Sequence, residues 1–369
     1  MTSLATTQDD ASGTTSGPFA ALLTSLNNSI EVVRNAKANN VDYDAGVESG
    51  GNGEYRIVRD IIIGVAETME NTSTKFSVSM DCGMSDEMIE SLCKSTKTPA
   101  EQLTTACIVA ARCNCTLTLR DEIYSSIMIC LQAMHQLVEA ASRSKVQELP
   151  MRTGQVWEAC KNLRKLPSTN KACIKRKVLL NYRSVNDVCK EVNEMIKEHE
   201  EQQGSNEGSN ALGGGFDDFG EDDFFYNSSM SPVEYQRCKL SIPIFKLVVD
   251  TFKCTIKIFG IAKCKCSGSN QLLDYIASNS GNILDKTNEI GVVLYAPQIL
   301  NNLRNVITEA VDTCAEFLQK LLELLDLELD DGNSSQSESL DNSRRLLEQL
   351  LNASESLPLS IFDKDEFKE

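Results

Sequence analysis

The sequence has few residues that interrupt helices, and it lacks the patterns that form strands. It contains eight prolines and 20 glycines among 369 residues, and they are scarce inside long stretches where apolar residues recur every three to four positions. Alternation of apolar and polar residues over strand lengths is absent. The sequence therefore predicts an all-α protein of long antiparallel helices, arranged in one or two up-down bundles.

Long hydrophobic runs are also missing. The longest one is Ile61–Ala66, far short of the about 20 residues that span a membrane. Residues 1–17 are rich in Thr and Ser and lack both the basic region and the apolar stretch of a signal peptide. We expect this segment to be disordered and the protein to be cytosolic or nuclear, where cysteine thiols stay reduced.

Residues with catalytic or metal-binding chemistry form no recognisable motif. The only histidines are His135 and His199, of which the first flanks an apolar helix face and the second is expected to be solvated. The 14 cysteines include two Cys-x-Cys pairs but no Cys-x-x-Cys pair. Phosphate loops and nucleophile elbows are absent. We predict no enzyme activity, cofactor or metal, and we interpret most cysteines as small buried hydrophobes.

The acidic charge belongs to two segments. Residues 204–232 carry a net charge of −6 without a single Lys or Arg, and residues 323–369 carry −9, out of a total of −17. The rest of the chain is nearly neutral. A protein that binds nucleic acid through its overall charge is therefore excluded.

These patterns divide the chain into five parts. After the disordered residues 1–17, residues 18–203 are predicted to form an N-terminal helical bundle. An acidic aromatic linker, residues 204–232, connects it to a C-terminal bundle over 233–327. An acidic, Ser-rich and disordered tail, residues 328–369, follows, in which a patch around residues 340–351 is at most transiently helical.

Capping patterns and prolines set the predicted helix ends. Thr98-Pro99-Ala100-Glu101 and Ser231-Pro232-Val233-Glu234 each read as a capping box that opens a helix. Pro167 is predicted to end a short helix, and Pro297 to start the last long one. Trp157, the only tryptophan, is predicted to anchor that short helix by burial, so that its replacement by Ala costs about 3–5 kcal/mol.

Two segments are candidate partner-binding regions. Between residues 159 and 186 the chain has eight basic residues and no acidic one, with Lys175, Arg176 and Lys177 consecutive. They indicate a nuclear-import signal, a docking patch for an acidic partner or for the linker, or simply a solvated helix face. The linker is either a plain spacer or a docking segment whose aromatic residues contact a partner: Phe216, Phe219, Phe224 and Phe225.

The sequence resembles one known family. Val156-Trp157-Glu158-Ala159-Cys160, followed by Pro167 and by Asn170-Lys171, is similar to the Val-Trp-x-Ala-Cys and Pro-x-x-Asn-Lys segment of the cyclin-D-binding proteins, also called Grap- and cyclin-D-interacting proteins. Weaker similarities are found at Thr74-Lys75-Phe76-Ser77, Thr116-Leu117-Thr118-Leu119-Arg120, Tyr295-Ala296-Pro297 and the acidic linker before Ser231. Ala296 replaces a proline of the family pattern, and the tail lies outside the resemblance.

The resemblance implies a non-enzymatic, all-helical regulator with bundles like those of vinculin and α-catenin. Such proteins bind D-type cyclins and adaptor proteins and restrain cell-cycle progression. The alternative is a vinculin-like cytoskeletal or adhesion scaffold, which the helical pattern alone equally allows. No direct nucleic-acid partner is expected, and the sequence leaves the oligomeric state open.

Overall fold

The computed structural model describes residues 17–40, 53–83, 85–206, 230–261, 269–295, 297–330 and 337–356. These residues form α-helices and no strand, which confirms the predicted all-α class. In chain order the helices are α1 (Pro18–Ala38), α2 (Gly53–Asp81), α3 (Asp86–Ala110), α4 (Leu117–Ser142), α5 (Leu149–Arg164), α6 (Asn170–Asn206), α7 (Pro232–Ile261), α8 (Ser269–Val293), α9 (Leu300–Asp330) and α10 (Ser337–Ser356). Within these ranges no helix has the length and apolarity needed to cross a membrane.

The chain forms two compact units, Met1–Asn170 and Lys171–Glu369. The boundary falls at the start of α6, whereas the sequence pattern assigns residues 18–203 to the first bundle. The physical reason is the apolar face of α6. Ile174, Val178 and Val185 are fully buried in a core cluster with residues of α7, α8 and α9, so the helix belongs to the second unit.

The first unit packs α1 to α5 around one core. Helix α4 contacts both α1 and α5, and α2 contacts both α3 and α5. The apolar side chains predicted by helical spacing are buried, among them Leu26, Ile62, Met69, Phe76, Leu103 and Ile127.

Helix α3 corrects one predicted boundary. The sequence pattern predicts a new helix capped at Thr98, but α3 runs without a break from Asp86 to Ala110 with Pro99 inside it. Its N-cap is Ser85, whose hydroxyl accepts a hydrogen bond from the Met88 amide. An internal proline costs about 3 kcal/mol because it removes a backbone hydrogen bond. Burial of the α3 face on both sides of Pro99 offsets this cost, with Leu92, Thr96, Ala100 and Leu103 all buried.

In the second unit, α6 to α9 alternate in direction. The Tyr182 ring lies 6.4 Å from Phe252, while the His199 ring lies 4.7 Å from Tyr235, so α6 and α7 are antiparallel. Asn181 donates to Ser280 in the middle of α8, and the hydroxyl of Tyr295, two residues after α8, bonds to Glu191, so α6 and α8 run parallel. Lys286 pairs with Glu309 between α8 and α9. The predicted up-down arrangement is therefore present in these four helices.

Helix α10 corrects the prediction of a disordered tail for residues 337–356. It packs on α7 and α9. Leu347 is fully buried in the same core cluster as Phe252 and Leu321, and Arg344 pairs with Asp326 of α9 at 2.8 Å. The residues are acidic on average, but α10 carries an apolar stripe that packs against this core. Leu346, Leu350 and Leu351 are partly buried there together with Leu347.

The start of α7 confirms the second predicted capping box. The Glu234 amide donates to Ser231 Oγ at 3.3 Å, and the Ser231 amide donates to Glu234 Oε2 at 2.8 Å. Glu234 Oε1 also accepts a hydrogen bond from the Gln298 amide at 2.8 Å. Burial raises the pKa of Glu234, but the hydrogen bonds from Gln298 and Ser231 outweigh it, so the pKa lies below the usual value.

We expect Glu234→Gln to reduce the free energy of unfolding by about 1 kcal/mol at pH 7. A carboxylate with a depressed folded-state pKa stabilises the fold above its unfolded pKa of about 4.3, and this contribution is lost as the pH falls through the folded pKa. The difference between wild type and variant should therefore shrink in urea titrations between pH 6 and pH 3. Glu198→Gln, at an exposed α6 position, is the control. A pH-independent difference would contradict this account.

All twelve cysteines among the described residues are free thiols. The interpretation as small buried hydrophobes is confirmed for Cys107, Cys130, Cys160, Cys254 and Cys314, whereas Cys189 is half-buried. Burial raises the pKa of Cys107 and Cys314 to about 12. Cys82 is exposed, so thiol accessibility differs sharply along the chain.

Candidate functional site

The surface of α5 carries the tryptophan of the family-like segment. Val156, Ala159, Cys160 and Leu163 are buried, which turns the next position of the helix, Trp157, outward. The prediction of a buried anchor is wrong, because 45% of the Trp157 side chain is exposed. Its position is nevertheless fixed, since Trp157 Nε1 donates to Thr74 Oγ1 of α2 at 3.2 Å.

A line of polar contacts holds α5 against α2 beside Trp157. Arg164 forms an ion pair with Glu70, one turn before Thr74 on α2. The hydrogen bond from Glu70 raises the pKa of Arg164, so the guanidinium remains charged. Because the numbers fall along α2 as they rise along α5, the two helices are antiparallel.

The chain after α5 continues this line of contacts. Arg59 Nε donates to the Leu166 carbonyl at 2.8 Å, and the Tyr55 hydroxyl donates to the Pro167 carbonyl at 2.7 Å. Pro167 is buried and follows α5, which ends at Arg164. Pro167 has no backbone N–H and disfavours helical geometry at the residue before it, and the Leu166 and Pro167 carbonyls accept from side-chain donors. Both bonds come from the first turns of α2.

Asn170 fastens the turn between α3 and α4. Its Oδ1 accepts a hydrogen bond from the Thr116 amide at 2.9 Å, and its Nδ2 donates to the Asn114 carbonyl at 2.9 Å. Thr116 is the N-cap of α4, because its hydroxyl accepts a hydrogen bond from the Leu119 amide. Arg120 Nε adds a bond to the Cys115 carbonyl at 3.2 Å. A side chain 54 positions away in sequence thus completes the start of α4.

The segments that carry the family resemblance therefore meet in pairs. Trp157 contacts Thr74 of the Thr-rich segment, and Asn170 contacts Thr116 of the Thr-Leu-Arg segment. The sequence pattern alone does not indicate that these segments touch. The contacts of Tyr55 and Arg59 were not predicted either. Their acceptors are backbone carbonyls, which every residue has, so no sequence pattern indicates them.

The solvent side of this α2–α5 junction carries one exposed apolar side chain besides the indole. Val78 is 59% exposed and lies one turn from Thr74 on α2. Gly154, one turn before Trp157 on α5, is exposed, and a Cβ atom built there meets nothing within 4 Å. We call Trp157, Val78, Thr74 and Gly154 the tryptophan surface. Tryptophan is among the residues enriched at protein interfaces and among their binding hot spots.

The other predicted site residues lie elsewhere. Lys175 and Arg176 are half-buried on α6, and Lys177 is exposed. Pro297 is an exposed bend in the connection between α8 and α9, and the helix begins three residues later than predicted, at Leu300. The aromatic residues of the linker lie outside the described residues: Phe216, Phe219, Phe224 and Phe225.

The two histidines lie in different units, His135 on α4 and His199 on α6. His199 is buried against the Tyr235 ring, which corrects the expectation that it is solvated. Tyr235 and Lys239 both contact Glu200, and the Lys239 ammonium lies 4.4 Å from the Tyr235 ring centroid. These contacts stabilise the pairing of α6 with α7. Across the described ranges, no group of three or more His, Cys, Asp or Glu side chains could hold a metal ion.

The described residues define the class by fold: an all-helical protein in which Trp157 is held at the surface of α5. Residues 61–198 match the family model described as Grap2 and cyclin-D-interacting, N-terminal. This match confirms the resemblance to the cyclin-D-interacting family, a family of interaction proteins. It contains Thr74, Thr116, Trp157 and Asn170. A comparison with curated proteins gave no match.

Proposed function

We propose that the protein is a non-enzymatic regulator that binds a D-type cyclin and restrains cell-cycle progression, acting in the cytoplasm and nucleus. The family match over residues 61–198 supports a cyclin-D-interacting role. The observation that carries the proposal is the tryptophan surface, where the most characteristic residue of the family-like segment is exposed rather than buried.

The geometry of Trp157 suits a binding anchor. A tryptophan supplies a large apolar area with few rotatable bonds, so it loses little entropy when a partner covers it. The hydrogen bond to Thr74 and the packing of α5 on α2 hold the ring before binding occurs. Such preorganisation increases affinity because less ordering is left for the complex.

We expect Trp157→Ala to weaken binding to a purified D-type cyclin by about 2 kcal/mol or more, roughly 30-fold. The free energy of unfolding should fall by only about 1 kcal/mol, because the side chain is half exposed. Isothermal titration calorimetry measures the first quantity and urea unfolding the second. Met151→Ala is the matched control, since Met151 is on the same helix and 54% exposed.

The linker enters the same titration as a second variant. Changing Phe219, Phe224 and Phe225 together to Ala should also weaken binding if these aromatic residues dock on the partner. An unchanged affinity would leave the linker as a spacer. If wild type does not bind any D-type cyclin, the proposed function is wrong, and co-sedimentation with actin filaments tests the alternative of a vinculin-like scaffold.

A further inference from the structure

We infer that Cys130 of α4 and Cys160 of α5 form a redox modification site, at which a hydroperoxide converts the two thiols into a disulfide that links the two helices. We call this pair the core dithiol. Both residues lie in the first unit, and neither belongs to the tryptophan surface. The test uses no cyclin, so it does not depend on the proposed function.

The two sulfur atoms of the core dithiol are already in contact. Cys130 Sγ lies 3.8 Å from Cys160 Sγ, although the two residues are 30 positions apart in the sequence. Both side chains are fully buried, and the helices that carry them pack against each other. A disulfide bond is about 2.05 Å long, so the sulfurs have to approach by about 1.8 Å. Rotation of the two side chains about their Cα–Cβ bonds covers a distance of this size.

The surroundings keep the core dithiol unreactive while the first unit is closed. Met69 Sδ lies 3.8 Å from Cys130 Sγ. The hydrogen bond with Cys160 and burial raise the pKa of Cys130 well above that of a free thiol. Because the thiolate is the nucleophile, oxidation has to pass through a local opening of the first unit. Cys82 is exposed and needs no such opening.

The oxidation takes two steps. In the opened unit, the thiolate of one cysteine attacks the O–O bond of the hydroperoxide, which gives a sulfenic acid and releases an alcohol, or water when the oxidant is hydrogen peroxide. When the unit closes, the sulfur of the other cysteine attacks the sulfenic sulfur, which forms the S–S bond and releases water. Two thiols and one hydroperoxide thus give one disulfide, one alcohol and one water molecule. The sulfurs lose two electrons, and the peroxide gains them.

The position of Cys160 distinguishes this pair from an isolated buried thiol. Cys107 is also fully buried in the first unit, but among the described residues it has no sulfur atom within hydrogen-bonding distance. A sulfenic acid at Cys107 would therefore have no neighbouring thiol to condense with, whereas one at Cys130 meets Cys160 as soon as the unit closes. The closed unit also shields the new disulfide, because reduction requires attack of a thiolate on one of its sulfurs.

The disulfide should stabilise the first unit. It closes a loop across the 30 positions between the two cysteines, which lowers the conformational entropy of the opened chain. Helix α5 also carries Trp157, so the same bond fixes the helix that supports the tryptophan surface. We therefore expect the first unit to open less often after oxidation, and the second unit to open as before.

The test treats the reduced full chain with hydrogen peroxide, in urea below the unfolding transition so that local openings are frequent. Remaining thiols are blocked with N-ethylmaleimide, and the chain is digested with trypsin without reduction. Cys130 and Cys160 are each the single cysteine of their tryptic peptides, residues 121–143 and 153–161. Mass spectrometry should therefore identify the linked pair of peptides in most chains, and dithiothreitol should separate them.

Variants and a second measurement show whether the link acts as described. Cys130→Ala should abolish the linked peptides. Cys107→Ala, the matched control at a buried position of the same unit, should leave them unchanged. In the oxidised chain, labelling of Cys107 by a disulfide reagent should be slower by about tenfold or more. Labelling of Cys314 in the second unit should keep its rate.

Three results would overturn the inference. The first is recovery of both peptides with N-ethylmaleimide on their cysteines at a urea concentration at which Cys107 is labelled. The second is a sulfinic acid on Cys130 in place of the link, since Cys160 would then have failed to condense with the sulfenic acid. The third is a link from Cys130 or Cys160 to Cys82 or to a second chain.

Discussion

Replacing Leu347 with aspartate should lower the free energy of unfolding of the protein by about 3–4 kcal/mol. Leu347 is fully buried among Phe252, Phe259 and Leu325, where a carboxylate would lose its hydration without gaining a partner. The loss is limited by the free energy with which α10 docks, because undocking of the helix returns the new charge to water. We therefore expect α10 to detach while the helices beneath it remain folded.

Gln349→Asp is the matched control for this experiment. Gln349 is exposed on the same helix, and its replacement adds the same charge at a cost below about 0.5 kcal/mol. Urea unfolding gives the two free energies, and hydrogen exchange shows whether the α10 amides lose protection before those of α8. Equal destabilisation by the two substitutions would mean that α10 does not pack as described.

The second large effect is expected at Asn170. Asn170→Ala removes the acceptor of the Thr116 amide and the donor to the Asn114 carbonyl. Thr116 is buried, so groups that lose their partners there are also shielded from water. A buried polar group without a partner costs about 1–3 kcal/mol, and we expect a total of about 2–4 kcal/mol from urea unfolding.

Two further variants identify the origin of that loss. Asn170→Asp keeps an acceptor for the Thr116 amide but cannot donate to Asn114, so it should recover part of the stability. Asn193→Ala removes an exposed amide that donates to the Cys189 carbonyl of its own helix, and it should change stability by less than about 0.5 kcal/mol. If Asn170→Ala is no worse than Asn193→Ala, the Asn170 contacts do not hold the α3–α4 turn.

The features that sequence reasoning predicted are local ones. Ser231 and Glu234 recognise each other across three residues, so their pattern alone indicates the start of α7. The same holds for the apolar spacing that places Leu26, Ile62 and Phe76 in the core. Such features depend on residues a few positions apart, so they can be predicted without knowing the rest of the fold.

The misassignments arise where tertiary packing outweighs a local preference. Thr98-Pro99 has the composition of a helix start, yet α3 continues because its buried face extends on both sides of the proline. Residues 337–356 have the composition of a disordered tail, yet they form a helix because Leu347 is buried against α7 and α9. In both cases the free energy that stabilises the helix comes from packing against residues that are distant in the sequence.

The candidate site was predicted only in part, because its contacts also depend on residues that are distant in the sequence. The sequence singled out Trp157 and Asn170 through a resemblance, but it gave no indication that Thr74 and Thr116 are their partners. It also assigned Trp157 to the interior, because size alone favours burial. Only the packing of α5 shows that its neighbours Val156 and Cys160 take the buried positions.

The distribution of cysteines has a practical consequence for dynamics. Cys107, Cys130 and Cys160 are buried in the first unit, and Cys254 and Cys314 are buried in the second. A thiol reacts with a disulfide reagent only when it reaches solvent as a thiolate. The labelling rate of each buried thiol therefore reports how often the unit that contains it opens. Cys82 is exposed and should be labelled fast, so it serves as the reference. The labelling rates of the buried thiols then give the opening of each unit separately, without an engineered probe.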